Sequence, residues 1–199
     1  LPMSLLLQLD LRSLPKEYGL PLNEGLLGVF ACTATDGCDL GFPFGESSRV
    51  LLYPPAPTPR PAQTTKQFPF VPIAAWQPFD DLPDPDEHQL LGLQYSYSEP
   101  SMVAVDCDEP PVSVQVDDQT GELAESLASA ATGDKLGGWA STLQGPAYVE
   151  CTDCSSRMSL LFQLDSLDNL RHMFGDGGIA HVLYCPQHPR VMAYCWQCS

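Results

Sequence analysis

Four residues near the C-terminal end have the types and the spacing that hold a metal ion. Cys151-x-x-Cys154 is followed further along by Cys185-x-x-His188. Zinc favours four ligands at tetrahedral corners, and two tight pairs on separate turns supply them once tertiary packing brings the turns together. Pro186 and Pro189 stiffen the second turn. With all four corners taken by protein, such an ion is structural and offers no open position for catalysis. A third pair, Cys195-x-x-Cys198, is an alternative source of a donor in place of His188, but a strand directs those two side chains to opposite faces.

Other readings of the same residue types fare worse. A redox C-x-x-C works from a helix N-terminus, where the dipole lowers the thiol pKa, whereas Cys151 and Cys154 precede the strand-like run Met158 to Leu164. Cys32 and Cys38 sit in a Gly- and Asp-containing loop and are read as core or loop thiols. Phe174-Gly175-Asp176-Gly177-Gly178 lacks the Lys-Ser/Thr of a phosphate loop and runs into a strand, so it is read as a tight turn with its glycines at positive φ. Trp139, beside Gly137 and Gly138, is read as packed over a close backbone approach. There is no G-x-S-x-G or H-E-x-x-H, and His88, His172, His181 and His188 have no spacing with a nucleophile. No catalytic residue is assigned.

The elements that must position the four ligands belong to a repeat. Met3-Ser4-Leu5-Leu6-Leu7-Gln8-Leu9-Asp10 recurs as Met158-Ser159-Leu160-Leu161-Phe162-Gln163-Leu164-Asp165, identical at seven of eight positions. Gly25 to Cys32 echoes Gly178 to Cys185, and Arg49-Val50-Leu51-Leu52-Tyr53 is aligned with Arg190-Val191-Met192-Ala193-Tyr194. Each block is a short apolar run bounded by Gly, Pro or Asp, which is the signature of a strand. Short helices are expected between the first and second strands: one from Ser13-Leu14-Pro15, and one over Leu167 to Met173 capped by Ser166. A proline-rich crossover starts at Pro54, with strands at Met102–Cys107 and Val112–Val116, and a helix is expected over Glu122–Ala131. The expected fold is α+β: one domain, a duplicated unit of mostly antiparallel strands with short helices in a pseudo-twofold arrangement. Residues 1–53 would be an N-terminally incomplete first unit, 54–134 the acidic crossover and 135–199 the second unit. Lys135-Leu136-Gly137-Gly138 has its expected counterpart upstream of Leu1.

Charge narrows the partners. Twenty-five acids against nine bases give a net charge of −16, so nucleic acid and anionic membranes are repelled. From Gln67 to Asp134 there is no Lys or Arg, which makes that stretch either a solubilising face or a landing surface for a basic protein. No apolar run is long enough to span a membrane. Cysteines spaced for metal rather than for a secreted disulfide framework place the protein in the cytosol.

Lys135-Leu136-Gly137-Gly138-Trp139, Leu161 to Ser166, Phe174 to Gly178 and Trp196-Gln197-Cys198, taken in order, resemble the bacterial YwqG-like family. The second half, with Cys151-x-x-Cys154 before Met158, is distantly similar to the eukaryotic programmed cell death protein 2 family, whose members escort a newly made ribosomal protein. The resemblance implies a binding role and brings no catalytic residues. The expected function is therefore non-enzymatic binding of a basic protein client, chaperone-like or regulatory. The alternatives are an enzyme with a cleft between the repeats and a toxin-immunity-type binding protein.

Overall fold

The computed structural model describes residues 3–16, 19–33, 41–54, 68–84, 87, 94–99, 102–106, 112–115 and 130–199. Among them are three antiparallel sheets. The first is a meander of β1 (Ser4–Asp10), β2 (Leu26–Ala31) and β3 (Ser48–Tyr53). A second meander joins β4 (Gln94–Glu99), β5 (Met102–Asp106) and β6 (Val112–Gln115). The strands expected over Met102–Cys107 and Val112–Val116 are β5 and β6, each one residue shorter. The third sheet has the order β10-β9-β8-β7, from β7 (Lys135–Leu136), β8 (Ser159–Asp165), β9 (Ile179–Tyr184) and β10 (Met192–Gln197).

The first and third sheets share their pairing residue for residue. Gln8 faces Gly28 as Gln163 faces His181, and Asp10 faces Leu26 as Asp165 faces Ile179. Even the irregularity recurs: the register shifts between Leu5 and Leu7 in β1, and between Leu160 and Phe162 in β8. The third repeated block is corrected by the ladder. Val29 pairs with Val50 and Val182 with Tyr194, so Val50 is equivalent to Tyr194 and not to Val191. A three-residue offset reverses every side chain between the two faces of a strand, and matched letters could not reveal it.

The α+β expectation is overturned: the described residues are nearly all β. After β1 there is one 3-10 turn, Leu11–Ser13, held by the Asp10 carboxylate accepting from Arg12 N and by Ser13 Oγ donating to Asp10 O. Pro15 then removes a donor that further helix would need. After β8 the expected helix is a run of turns. Ser166 does not cap it; its hydroxyl donates to Gly178 O at 2.6 Å and accepts from Phe174 N at 2.8 Å, tying the two ends of the loop together. Polar side chains that bond local backbone in this way compete with helix formation. The Phe174–Gly178 turn has Gly175 and Gly177 at positive φ, as expected. The helix placed at Glu122–Ala131 lies outside the described residues except for Ala130 and Ala131, which are not helical. No helix among the described residues is long and apolar enough to cross a membrane.

The inner faces of the first and third sheets meet in one apolar core. Leu7, Leu9, Leu27 and Val29 come from one side and Phe162, Leu164, Ala180, Val182 and Tyr194 from the other. Each fully buried leucine there contributes about 2 kcal/mol. The outer faces differ. In β1 the alternation is plain, with Leu7 and Leu9 buried and Gln8 exposed. In β8 every residue after Ser159 is buried, because residues within 130–147 cover its outer face and are themselves held by Asp81 and Asp84.

Candidate metal centre

The ends of β8 and β9 carry the four sequence-selected ligands. Cys151 and Cys154 lie on a turn just before β8. Its base is closed by the Glu150–Arg157 bridge and by Cys151 N donating to Ser156 O, and its tip by Ser155 N donating to Cys151 O, both at 2.9 Å. Ser155 takes φ 56°, the left-handed conformation that reverses the chain after the second cysteine. Cys185 directly follows β9, and His188 lies in the turn to β10, pinned by Cys185 N to Val191 O and Val191 N to His188 O.

These two turns bring the ligand atoms together. Cys154 Sγ and Cys185 Sγ are 3.6 Å apart, and His188 Nδ1 lies 3.9 Å from both Cys151 Sγ and Cys185 Sγ. All four donor atoms fall within 4.8 Å of one another. Zinc–sulfur bonds of about 2.3 Å at tetrahedral angles place neighbouring sulfurs about 3.8 Å apart, so the spacing is that of a ligand cage. Backbone N–H groups already point at the sulfurs, from Asp153 to Cys151 at 3.4 Å and from His188 to Cys185 at 3.3 Å. Such donors stabilise thiolate charge. Hydrogen bonds from the hydroxyl and N–H of Ser156 bring the Cys154 thiol down to about 6, whereas burial raises that of Cys151. Cys151, Cys154, Cys185 and His188 thus lie close together and could hold a metal ion.

The remaining cysteines stay out of the cluster. Cys195 is buried, its Sγ donates to Ala147 O, and burial pushes its thiol up to about 12. Cys198 sits against Gly175. Cys32, read from sequence as a thiol, is disulfide-bonded to a residue outside the described set.

Apart from the four ligands, the structure holds a buried polar network that sequence reasoning missed. Gln163 Oε1 accepts from Ser141 N at 2.9 Å, and Nε2 donates to Ala131 O at 3.2 Å and Gly133 O at 2.9 Å. His181 donates from Nε2 to Ser141 O at 2.9 Å, which leaves Nδ1 unprotonated and without a partner, and burial lowers its pKa to about 4. Asp81 accepts from Ala131 N, Trp139 N and the buried Lys135 ammonium, whose pKa burial lowers despite that partner. Asp84 accepts from Ala130 N, Thr142 N and Thr142 Oγ1. The Arg157 guanidinium lies 3.8 Å over the Tyr148 ring and reaches Glu87, whose fully buried carboxyl is raised by desolvation. Three acids of the Lys- and Arg-free stretch, Asp81, Asp84 and Glu87, therefore serve the interior. Gly138, at φ +73°, passes so close to Asp81 that no Cβ would fit.

A family model described as a domain of unknown function (DUF1963) matches residues 1–188. No curated protein matches the chain.

Proposed function

The chain belongs to the DUF1963 domain family, and from that premise we propose that it is a non-enzymatic protein-binding domain, stapled by one structural zinc ion and acting on a basic protein client. The observation that carries the reading is the closed donor set. Cys151, Cys154, Cys185 and His188, whose donor atoms lie within 4.8 Å of one another, would fill a tetrahedron by themselves and leave no corner for substrate. Bound there, zinc would supply cross-linking between two loops and no reaction chemistry. The two turns would then fix the entry to β8 and the exit from β9, and hold Arg157 against Glu87 on the covering segment.

A cleft between the repeats has little support, because their inner faces are filled by apolar side chains. The net charge of −16 favours a basic client. The finer kinship, to the YwqG-like family and through it to the escorts of a ribosomal protein, is part of this proposal and gives the binding its chaperone-like or regulatory character. A cytosolic setting is part of this proposal, resting on the metal-type spacing of the four ligands, while the disulfide at Cys32 speaks against it.

The test is affinity purification of the tagged protein from its own host at low and at high salt, with mass spectrometry of what is retained. A stoichiometric basic protein that elutes as salt rises is the expected result, because exposed charge contacts are screened within about 10 Å at 0.1 M. A neutral partner held equally well at high salt, or none at either salt, would overturn the electrostatic reading. A toxin as the basic partner would assign the immunity-type role.

A further inference from the structure

The four candidate ligands are not equally open to solvent. Cys151 and Cys185 are buried, at 2% and 0% exposure, whereas Cys154 is half-buried and His188 is exposed. A small solute therefore meets Cys154 first among the three sulfurs. That sulfur is held in place from both turns. The hydroxyl and N–H of Ser156 donate to it, and Gln187, from the turn after β9, donates through Nε2 to the Ser156 hydroxyl at 3.0 Å. The fully buried Cys185 Sγ lies 3.6 Å away from it.

An accessible thiolate in contact with a sheltered one is the arrangement that converts a sulfenic acid to a disulfide before oxidation runs further. Two other cysteines lack one half of it. Cys195 is buried and its Sγ is engaged with Ala147 O. Cys198 is half-buried but sits against Gly175, outside the cluster. The chain also carries a disulfide at Cys32, so oxidation already belongs to its chemistry.

We propose that Cys154 is a site of oxidation by hydrogen peroxide and that Cys185 resolves it, which makes the metal cage a reversible redox switch. The Cys154 thiolate attacks one peroxide oxygen, the O–O bond breaks, and the departing hydroxide takes up a proton. Cys154 is then a sulfenic acid. The Cys185 thiolate attacks Cys154 Sγ, the S–O bond breaks as the S–S bond forms, and a second hydroxide leaves and takes up a proton. Two thiolates have given up two electrons, and one peroxide has become two waters. With two of four donors consumed, Cys151 and His188 no longer hold zinc, which departs as the hydrated ion. The new bond keeps the two turns joined, so β8 and β9 stay anchored while Cys151 and His188 come free. A thiol reductant reverses the change by exchange. This switch deepens the metal reading above and rests on it for the released ion; the sulfur steps need only the two cysteines.

The test treats the reduced full chain, its zinc content measured beforehand, with a small excess of hydrogen peroxide. Remaining thiols are alkylated, disulfides are mapped by mass spectrometry of the unreduced digest, and released zinc is read with a chromogenic chelator. A Cys154–Cys185 cross-link is expected, with one zinc lost per bond gained and both changes undone by dithiothreitol when zinc is present. Cys195→Ser should respond as the parent does. Cys185→Ser should lose the cross-link and accumulate a Cys154 sulfenic acid that dimedone traps; if that variant does not fold, the parent's own disulfide map decides. Three results overturn the proposal: a Cys154 thiol that survives excess peroxide, a bond from Cys154 to Cys151 in place of Cys185, or Cys154 carried to sulfinic acid with no cross-link. A reduced chain that holds no zinc yet forms the Cys154–Cys185 bond supports the oxidation site and refutes the metal reading, whereas a zinc-loaded chain that keeps both thiols refutes the oxidation site alone.

Discussion

Replacing Gln163 by leucine keeps nearly the same volume and removes the amide. Three hydrogen bonds disappear at once, to Ser141 N, Ala131 O and Gly133 O. Each contributes about 1 kcal/mol net, and a buried backbone group left without a partner costs about 1–3 kcal/mol more. Some of the three will find water as the 131–141 segment loosens, so the expected loss is about 3–5 kcal/mol. For a chain of this size that lowers the melting temperature by about 10 °C. Gln8→Leu is the control, because the same residue, in an octapeptide that differs at one position, is exposed and its replacement should cost no more than about 0.5 kcal/mol. Urea and thermal unfolding at neutral pH, followed by circular dichroism on protein of equal metal content, measure both. A Gln163→Leu variant within about 1 kcal/mol of the parent, or a Gln8→Leu variant equally damaged, would refute the reasoning.

The remaining expectations follow from the same buried groups. His181 has its pKa lowered by burial from 6.5 to about 4, so between those values the unfolded chain binds the extra proton and stability falls as the pH falls. The full shift corresponds to about 3 kcal/mol. Urea midpoints taken from pH 7 to pH 4 should therefore converge between the parent and His181→Asn, and parallel curves would contradict this. Arg157→Ala strands the Glu87 carboxylate, whose Oε2 accepts from Arg157 and whose Oε1 has no partner. A loss of about 2 kcal/mol is expected, since the arginine is partly exposed and its pair is screened on that side. Glu87→Gln in the Arg157→Ala background should recover part of it, and a double-mutant cycle with no coupling would sink the pairing.

The sequence carried the strands and the four ligands because both depend on local pattern. Apolar runs bounded by Gly, Pro and Asp are β1, β2, β8 and β9, and the C-x-x-C and C-x-x-H turns needed only those strands to bring them together. Helices were misjudged where side chains took over the backbone: Ser166 looks like a helix start, yet its hydroxyl holds a loop amide and a loop carbonyl. Gln163 was invisible for a different reason. Its octapeptide and that of Gln8 are all but identical, and only chain that is distant in sequence decides which glutamine is buried. Asp81, Asp84 and Glu87 are alike in this respect: composition counts them as surface charge, whereas the covering segment turns them toward the backbone of 130–142 and toward Arg157. Register is the last case, since three-residue slippage in the third repeated block shows only when β2 and β3 are seen paired.

The account turns on whether Cys151, Cys154, Cys185 and His188 hold zinc. Elemental analysis of the protein, purified under reducing conditions without added metal, measures this directly, alongside Cys185→Ser and the matched control Cys195→Ser. One zinc per chain in the parent and in Cys195→Ser, with loss in Cys185→Ser, is the predicted result. A parent protein that is well folded and free of zinc, and that takes up none on addition, would contradict the account.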